Sequence, residues 1–174
     1  MSAQQRRHSV DVITQEESML DAKEIISTRA KPSAVIRMTI AREMMPELFG
    51  PALEEIFDQL RTQGVISSGP AYAYHLRMDP EVFDFEAGVT VASPVTPAGR
   101  VEAGELPAHS QVARATYTGP YEGLGPAWGE FDGWVKEEGH TPEESLWEVY
   151  ISGPESSTDP STWRTDLYRP LKDS

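Results

Sequence analysis

From about residue 20 onward, apolar and polar positions divide the chain into short alternating runs and two longer stretches of helical period. Leu48, Phe49, Ala52, Leu53, Ile56, Phe57 and Leu60 recur at i, i+3, i+4, which predicts a helix over 46–63. Gly64 follows as a C-cap, and Pro51 falls early, where a missing amide does least harm. Leu124, Ala127, Trp128, Phe131, Trp134 and Val135 predict a second helix over 123–138. Runs of strand character occupy 22–28, 35–40, 71–78 and 82–91, then 101–106, 111–118, 146–152 and 163–171. Lys31-Pro32-Ser33, Asp79-Pro80 and Pro107-Ala108-His109 read as turns, and 93–99, with two prolines and a glycine, as a hinge. Residues 1–19 are polar and weakly patterned, as in a flexible extension; Val10-Asp11-Val12-Ile13 is a run there with strand character.

The order of elements before the hinge recurs after it, and so do residues. Phe49-Gly50-Pro51-Ala52-Leu53-Glu54-Glu55-Ile56 returns as Leu124-Gly125-Pro126-Ala127-Trp128-Gly129-Glu130-Phe131. Val35-Ile36-Arg37-Met38-Thr39 returns as Val112-Ala113-Arg114-Ala115-Thr116, so the loop before the second helix is shorter. Two copies are too few for a solenoid. The pattern predicts one pseudo-symmetric domain over 20–174, with repeats at 20–92 and 100–172. The expected fold class is α+β: duplicated β-α-β-β modules forming one antiparallel sheet, two helices on one face and a ligand cleft on the other. A seam between halves is a place where small ligands bind.

Composition narrows the partners. With 28 acidic against 15 basic residues the net charge is −13. This argues against direct nucleic-acid binding, whose footprint is basic. It fits either a solvated acidic surface or attraction for cationic partners. The chain has no cysteine, which removes disulfides, thiolate metal sites and Cys nucleophiles. His8, His75, His109 and His140 are scattered without ligand spacing, and no glycine-rich phosphate loop occurs, so neither metal nor cofactor is expected. No apolar run reaches membrane-span length, and the first residues lack a signal-peptide core. The expectation is a cytoplasmic protein without membrane contact.

One strand carries unusual chemistry. In Leu146–Ser152, Trp147, Val149 and Ile151 share one face, expected beneath the helices. Glu148 and Tyr150 share the other, about 7 Å apart, expected to face the groove. Glu is depleted in strands, so Glu148 is either an ordinary solvent-facing acid or a functional one. Its counterpart strand, 71–78, admits two registers. Matching Tyr74 to Tyr150, the favoured one, puts Tyr72 and Tyr74 in the groove; keeping the spacing of the helices puts Ala73 and His75 there instead. Tyr121 precedes the second helix at a mouth position. Trp128 and Tyr168 are further aromatic candidates, Tyr168 on a face with Arg164 and Asp166. Aromatic walls around a carboxylate suit a flat organic cation. Ring stacking contributes about 0.5–1.5 kcal/mol per pair. A desolvated cation–π contact adds up to about 2 kcal/mol. With the charge term, micromolar affinity, about −8 kcal/mol, is within reach.

Several pieces together resemble the GyrI-like small-molecule-binding domains, which also serve as effector-binding domains of AraC-type and MerR-type multidrug regulators. They are Thr118-Gly119-Pro120-Tyr121-Glu122-Gly123-Leu124, the helix through Trp134 to Gly139, Glu148-Val149-Tyr150, and Thr165 to Pro170-Leu171. In the first half they are Gly69-Pro70, Tyr74 and Phe85-Glu86-Ala87-Gly88-Val89. The likeness spans roughly 20–172. It implies the regulatory-factor effector-binding fold, with Glu148 in the place of the family's cleft glutamate. Many members have His where this chain has Tyr117, so no role carries over to that position.

Three functions follow as expectations. The first is a stand-alone binder of hydrophobic, often cationic or aromatic small molecules, with Glu148 as charge and Tyr150, Tyr121, Trp128, Tyr72, Tyr74 and Tyr168 as walls. The second, implied by family members that hydrolyse cyclopropanoid genotoxins, is a hydrolase. There Glu148 activates water and Tyr74 donates a proton to the developing oxyanion. The third is an acidic interaction protein acting on a partner such as DNA gyrase.

Overall fold

Each alternating run becomes a strand and each helical stretch a helix in a computed structural model that describes residues 20–172. The strands are β1 (Leu20–Thr28), β2 (Lys31–Ala41), β3 (Ser67–Met78), β4 (Val82–Val91), β5 (Glu102–Leu106), β6 (His109–Thr118), β7 (Leu146–Ser152) and β8 (Arg164–Pro170). The helices are α1 (Met45–Gln63) and α2 (Leu124–Glu137), each entered through a short 3₁₀ turn. Gly64 ends α1 in the left-handed conformation, φ 68°, and Gly139 sits at φ 85° just beyond α2. α1 begins earlier than α2 does relative to the shared Gly-Pro-Ala. Pro51 therefore lies inside α1, past its first turn, rather than at its start. There its missing amide removes an intrahelical hydrogen bond. The run at Val10–Ile13 and the extension over 1–19 lie outside the described residues.

All eight strands form one antiparallel sheet in the order β1-β6-β8-β7-β3-β4-β2-β5. The order is symmetric about its centre, where β7 meets β3. The central register is Tyr72↔Val149, Ala73↔Glu148, Tyr74↔Trp147 and His75↔Leu146. The outermost strands are exchanged. β1 pairs with β6, and β5 pairs with β2. The ladder runs from Leu20↔Tyr117 to Thr28↔His109 and resumes from Lys31↔Leu106 to Val35↔Glu102. β1–β2 and β5–β6 thus form one long bent ribbon. At its corner Thr28 Oγ1 donates to the Pro107 carbonyl and accepts from the His109 amide, both at 3.1 Å.

Both helices lie on one face of the sheet. α1 buries Ala52, Ile56 and Leu60 against Ala34, Ile36, Phe85, Ala87 and Val89. α2 buries Ala127, Phe131 and Val135 against Ala113, Ala115 and Leu167. The other face, where the cleft was expected, is filled at its centre. Val35, Tyr72, Leu106, Val112 and Trp147 form a third core cluster there, with Tyr74, Val149 and Tyr168 packed on it. Trp147 stacks on Tyr168 at 5.1 Å and on Tyr74 at 5.8 Å. Matched ionic clusters flank it. Asp84 accepts from Arg37, Arg77 and Thr39, and Asp166 accepts from Arg114 and Thr116.

Candidate functional site between the two helices

Glu148 occupies the middle of β7, at the centre of the sheet, on the side where the helices lie. The residue is only 8% exposed. Oε2 accepts a 2.7 Å hydrogen bond from Trp128 Nε1, on α2. Oε1 accepts one of 2.7 Å from the Tyr150 hydroxyl, two residues along the same strand. No cationic side chain among the described residues stands within ion-pair distance of it. A buried carboxylate is ordinarily held by a cation. Here hydrogen bonds alone hold it, and they leave acceptor capacity on both oxygens.

Aromatic rings surround the carboxylate. Tyr150 meets Phe49 of α1 edge-on at 5.4 Å and Tyr121 at 5.9 Å. Tyr121 in turn packs on Trp163 at 5.1 Å, and Trp128 on Phe131 at 5.9 Å. Tyr121 is 37% exposed, which puts the outer rim of the cluster at the surface. A Cβ at Gly153 would press on the Tyr121 hydroxyl, so any larger residue there would displace this rim. Burial, and next the negative charge of Glu148, hold the Tyr150 phenol well above its ordinary range. Burial raises the Tyr121 phenol too, with Glu155 and Glu148 adding to it. Both rings therefore stay neutral hydrogen-bond donors near neutral pH. A separate shallow depression on the outer side of α1, between Glu54, Phe57, Asp58 and Arg61, has no such carboxylate-and-ring arrangement.

The structure brings together Glu148, Tyr150, Trp128 and Tyr121. It separates them from Tyr72, Tyr74 and Tyr168, which lie across the sheet in the third core cluster. The reason is register. Ala73, not Tyr72, stands opposite Glu148, so the tyrosines on either side of it point the other way. A one-residue slip moves every side chain of a strand to the opposite face. The spacing that superposes the helices is the one the strands obey. Tyr74, with its hydroxyl near Ser145, thus cannot give a proton to chemistry at Glu148. The two faces of β7 are likewise reversed from expectation. Trp147 and Val149 join the far cluster, while Ile151 is 41% exposed. Phe49 and Trp163 are further neighbours of the site, and so is His75, which the alternative register placed on this face. Phe49 carried a signal, as the first residue of the repeated helix segment. His75 carried one in the alternative register, and Trp163 carried none.

A family model for GyrI-like small-molecule-binding domains matches residues 21–172. The chain belongs to the GyrI-like family. Among solved structures, this GyrI-like domain is similar to the EcmrR C-terminal domain, with a TM-score of 0.76 at 21% identity over 88% of this chain and 98% of that one. It is also similar to EcmrR in its complex with DNA, with a TM-score of 0.77 at 19% identity. That match covers 98% of this chain and 64% of EcmrR, so the GyrI-like domain spans under two thirds of that protein's length. SAV2435 bound to tetraphenylphosphonium is similar with a TM-score of 0.59 at 9% identity, covering 87% and 94% of the two chains. A hydrolase encoded by lin2189 from Listeria innocua gives 0.62 at 13% identity, covering 86% and 91%. No curated protein sequence matches. At these identities the structural likeness establishes the fold. No described helix of the GyrI-like domain is long and apolar enough to cross a membrane.

Proposed function

We propose that this GyrI-like domain binds aromatic, cationic small molecules between α1 and α2, with Glu148 as the countercharge. The observation that carries the reading is a buried glutamate, 8% exposed, bonded to Trp128 and Tyr150, with no cation of the described residues beside it. A ligand cation supplies the missing charge, in surroundings that exclude water and strengthen the attraction. Tyr150, Trp128, Phe49 and Tyr121 offer ring faces and edges for stacking and cation–π contact. Entry proceeds past Tyr121 and Trp163, at the exposed rim. Tetraphenylphosphonium, found on SAV2435, is a ligand of this chemistry and a suitable first probe.

The test is calorimetric titration of tetraphenylphosphonium into the wild type and Glu148→Gln. Gln keeps the shape and can still accept from one donor, so the variant is expected to fold. Affinity should fall at least tenfold, about 1.4 kcal/mol. Equal affinity for the two proteins defeats the reading.

Hydrolysis is a second reading, favoured by the likeness to the Listeria innocua hydrolase. Tyr74 is excluded from its proposed part, because it lies on the far side of the sheet from Glu148. Tyr150, which bonds Glu148 directly, is the phenol that would have to serve. A cyclopropanoid substrate consumed no faster with protein than in buffer rules this reading out.

A further inference from the structure

Beside Glu148, toward the first half of the sheet, lies a buried polar atom without a protein partner. His75 on β3 is 4% exposed, and its Nδ1 has no hydrogen bond among the described residues. The ring stacks on Phe85 at 5.3 Å and meets Phe83 edge-on at 4.9 Å. Phe85 packs near Phe49 at 6.3 Å, and Phe49 on Tyr150 at 5.4 Å. One aromatic layer thus runs from the Glu148 cluster to His75. Ala73 shares the face with His75 and stands directly across from Glu148, so His75 is the diagonal neighbour of Glu148 on the paired strand, a relation that puts Cα atoms about 7–8 Å apart.

The approximate symmetry explains why the nitrogen lacks a partner. The spacing that carries Phe49 onto Leu124 also carries Ala73 onto Glu148 and His75 onto Tyr150. Tyr150 is satisfied by the acid two residues before it. In the equivalent place His75 has Ala73, whose methyl group bonds nothing. The first half keeps a polar ring and lacks the acid. A buried nitrogen left unpaired is costly, and a ligand able to pair it gains accordingly.

We propose that His75 is the second polar contact of the cleft. The positive charge of the ligand faces Glu148, and an N–H on that cation donates to His75 Nδ1. The cleft then prefers protonated aromatic amines and amidines over quaternary cations of the same size. A neutral imidazole keeps one ring nitrogen as an acceptor. Burial favours the neutral ring; Glu148 pulls the other way, and the nearby Arg42 adds to the effect of burial. The N–H of a cation is a strong donor. The inference rests on the cleft reading above.

The experiment compares two flat cations of similar size, protonated 9-aminoacridine and 10-methylacridinium, titrated into the full chain near neutral pH. The wild type should bind the aminoacridine about tenfold more tightly. His75→Phe, which preserves packing between Phe83 and Phe85, should reduce that preference to within about twofold, by weakening the aminoacridine far more than methylacridinium. No preference in the wild type overturns the proposal, as does an equal loss for both ligands in His75→Phe. The wild-type comparison needs no variant, so a folding defect does not blunt it. If Glu148→Gln weakens both ligands while His75→Phe alters neither, the role of His75 alone falls. If Glu148→Gln alters neither, the cleft reading falls, and the role of His75 with it.

Discussion

Among individual residues, two at the seam differ from their symmetry mates in the polar partners they have. Glu148 faces Ala73, and His75 takes the place of Tyr150 without a hydrogen-bond partner for Nδ1. His75 also makes stability depend on pH. Burial holds its imidazole below the ordinary value of 6.5, with Arg42 acting the same way and Glu148 opposing. The folded state therefore binds fewer protons than the unfolded chain between the two values. The stability due to neutral His75 is present above the unfolded value and declines as pH falls below it. Between pH 7 and pH 5 the thermal midpoint of the wild type should drop further than that of His75→Phe, as followed by circular dichroism. Parallel curves for the two proteins would show that His75 does not titrate in this way.

Strand register, a property of elements, decides which residues meet. β7 was legible as a strand from its alternation, and Glu148 with Tyr150 as a pair on one of its faces. The alternation Trp147, Val149, Ile151 suggested that the apolar face lay under the helices. Yet this sheet buries apolar side chains on both sides, so polarity alone could not tell the faces apart. The side away from the helices has its own core, flanked by the two ionic clusters. Asp166 is buried there and accepts from Arg114 Nη2 at 2.8 Å and Thr116 Oγ1 at 2.9 Å. Asp166→Ala strands both donors and should cost about 2–3 kcal/mol. At this chain length that is a fall of roughly 5–10 °C in Tm. Because the cluster faces away from Glu148, the affinity of the folded variant for tetraphenylphosphonium should match that of the wild type. Calorimetry measures both quantities on one sample.

Across the whole molecule, the exchanged edge strands bind the halves together. β1 belongs to the first half in sequence and pairs with β6 of the second. Deleting residues 1–28 would uncover the β6 edge and remove Leu20 from the α2 core. An uncovered edge pairs with other chains. The truncated protein should thus elute from size exclusion as an oligomer or aggregate, with a lowered Tm. A monomer of unchanged stability would mean that the ribbon does not hold the halves together. The same exchange frames the proposed seam site. Each half contributes a helix over the central strands, α1 through Phe49 and α2 through Trp128, and the ribbon keeps both in place.

The sequence by itself determined the helices, the strands, their order and the family, although Lys31-Pro32-Ser33, expected as a turn, opens β2 and pairs with β5. Periodicity, glycine caps and turn residues act within a few positions along the chain, and all of these are local. It also determined that Glu148 and Tyr150 share a face, because two residues apart on a strand must. Tertiary structure alone decided which side of the sheet that face is on, that Ala73 rather than Tyr72 lies opposite the acid, and that β1 and β5 change places. Those outcomes depend on pairing between segments far apart in the chain, where a shift of one residue reverses every side chain and leaves the local pattern unchanged.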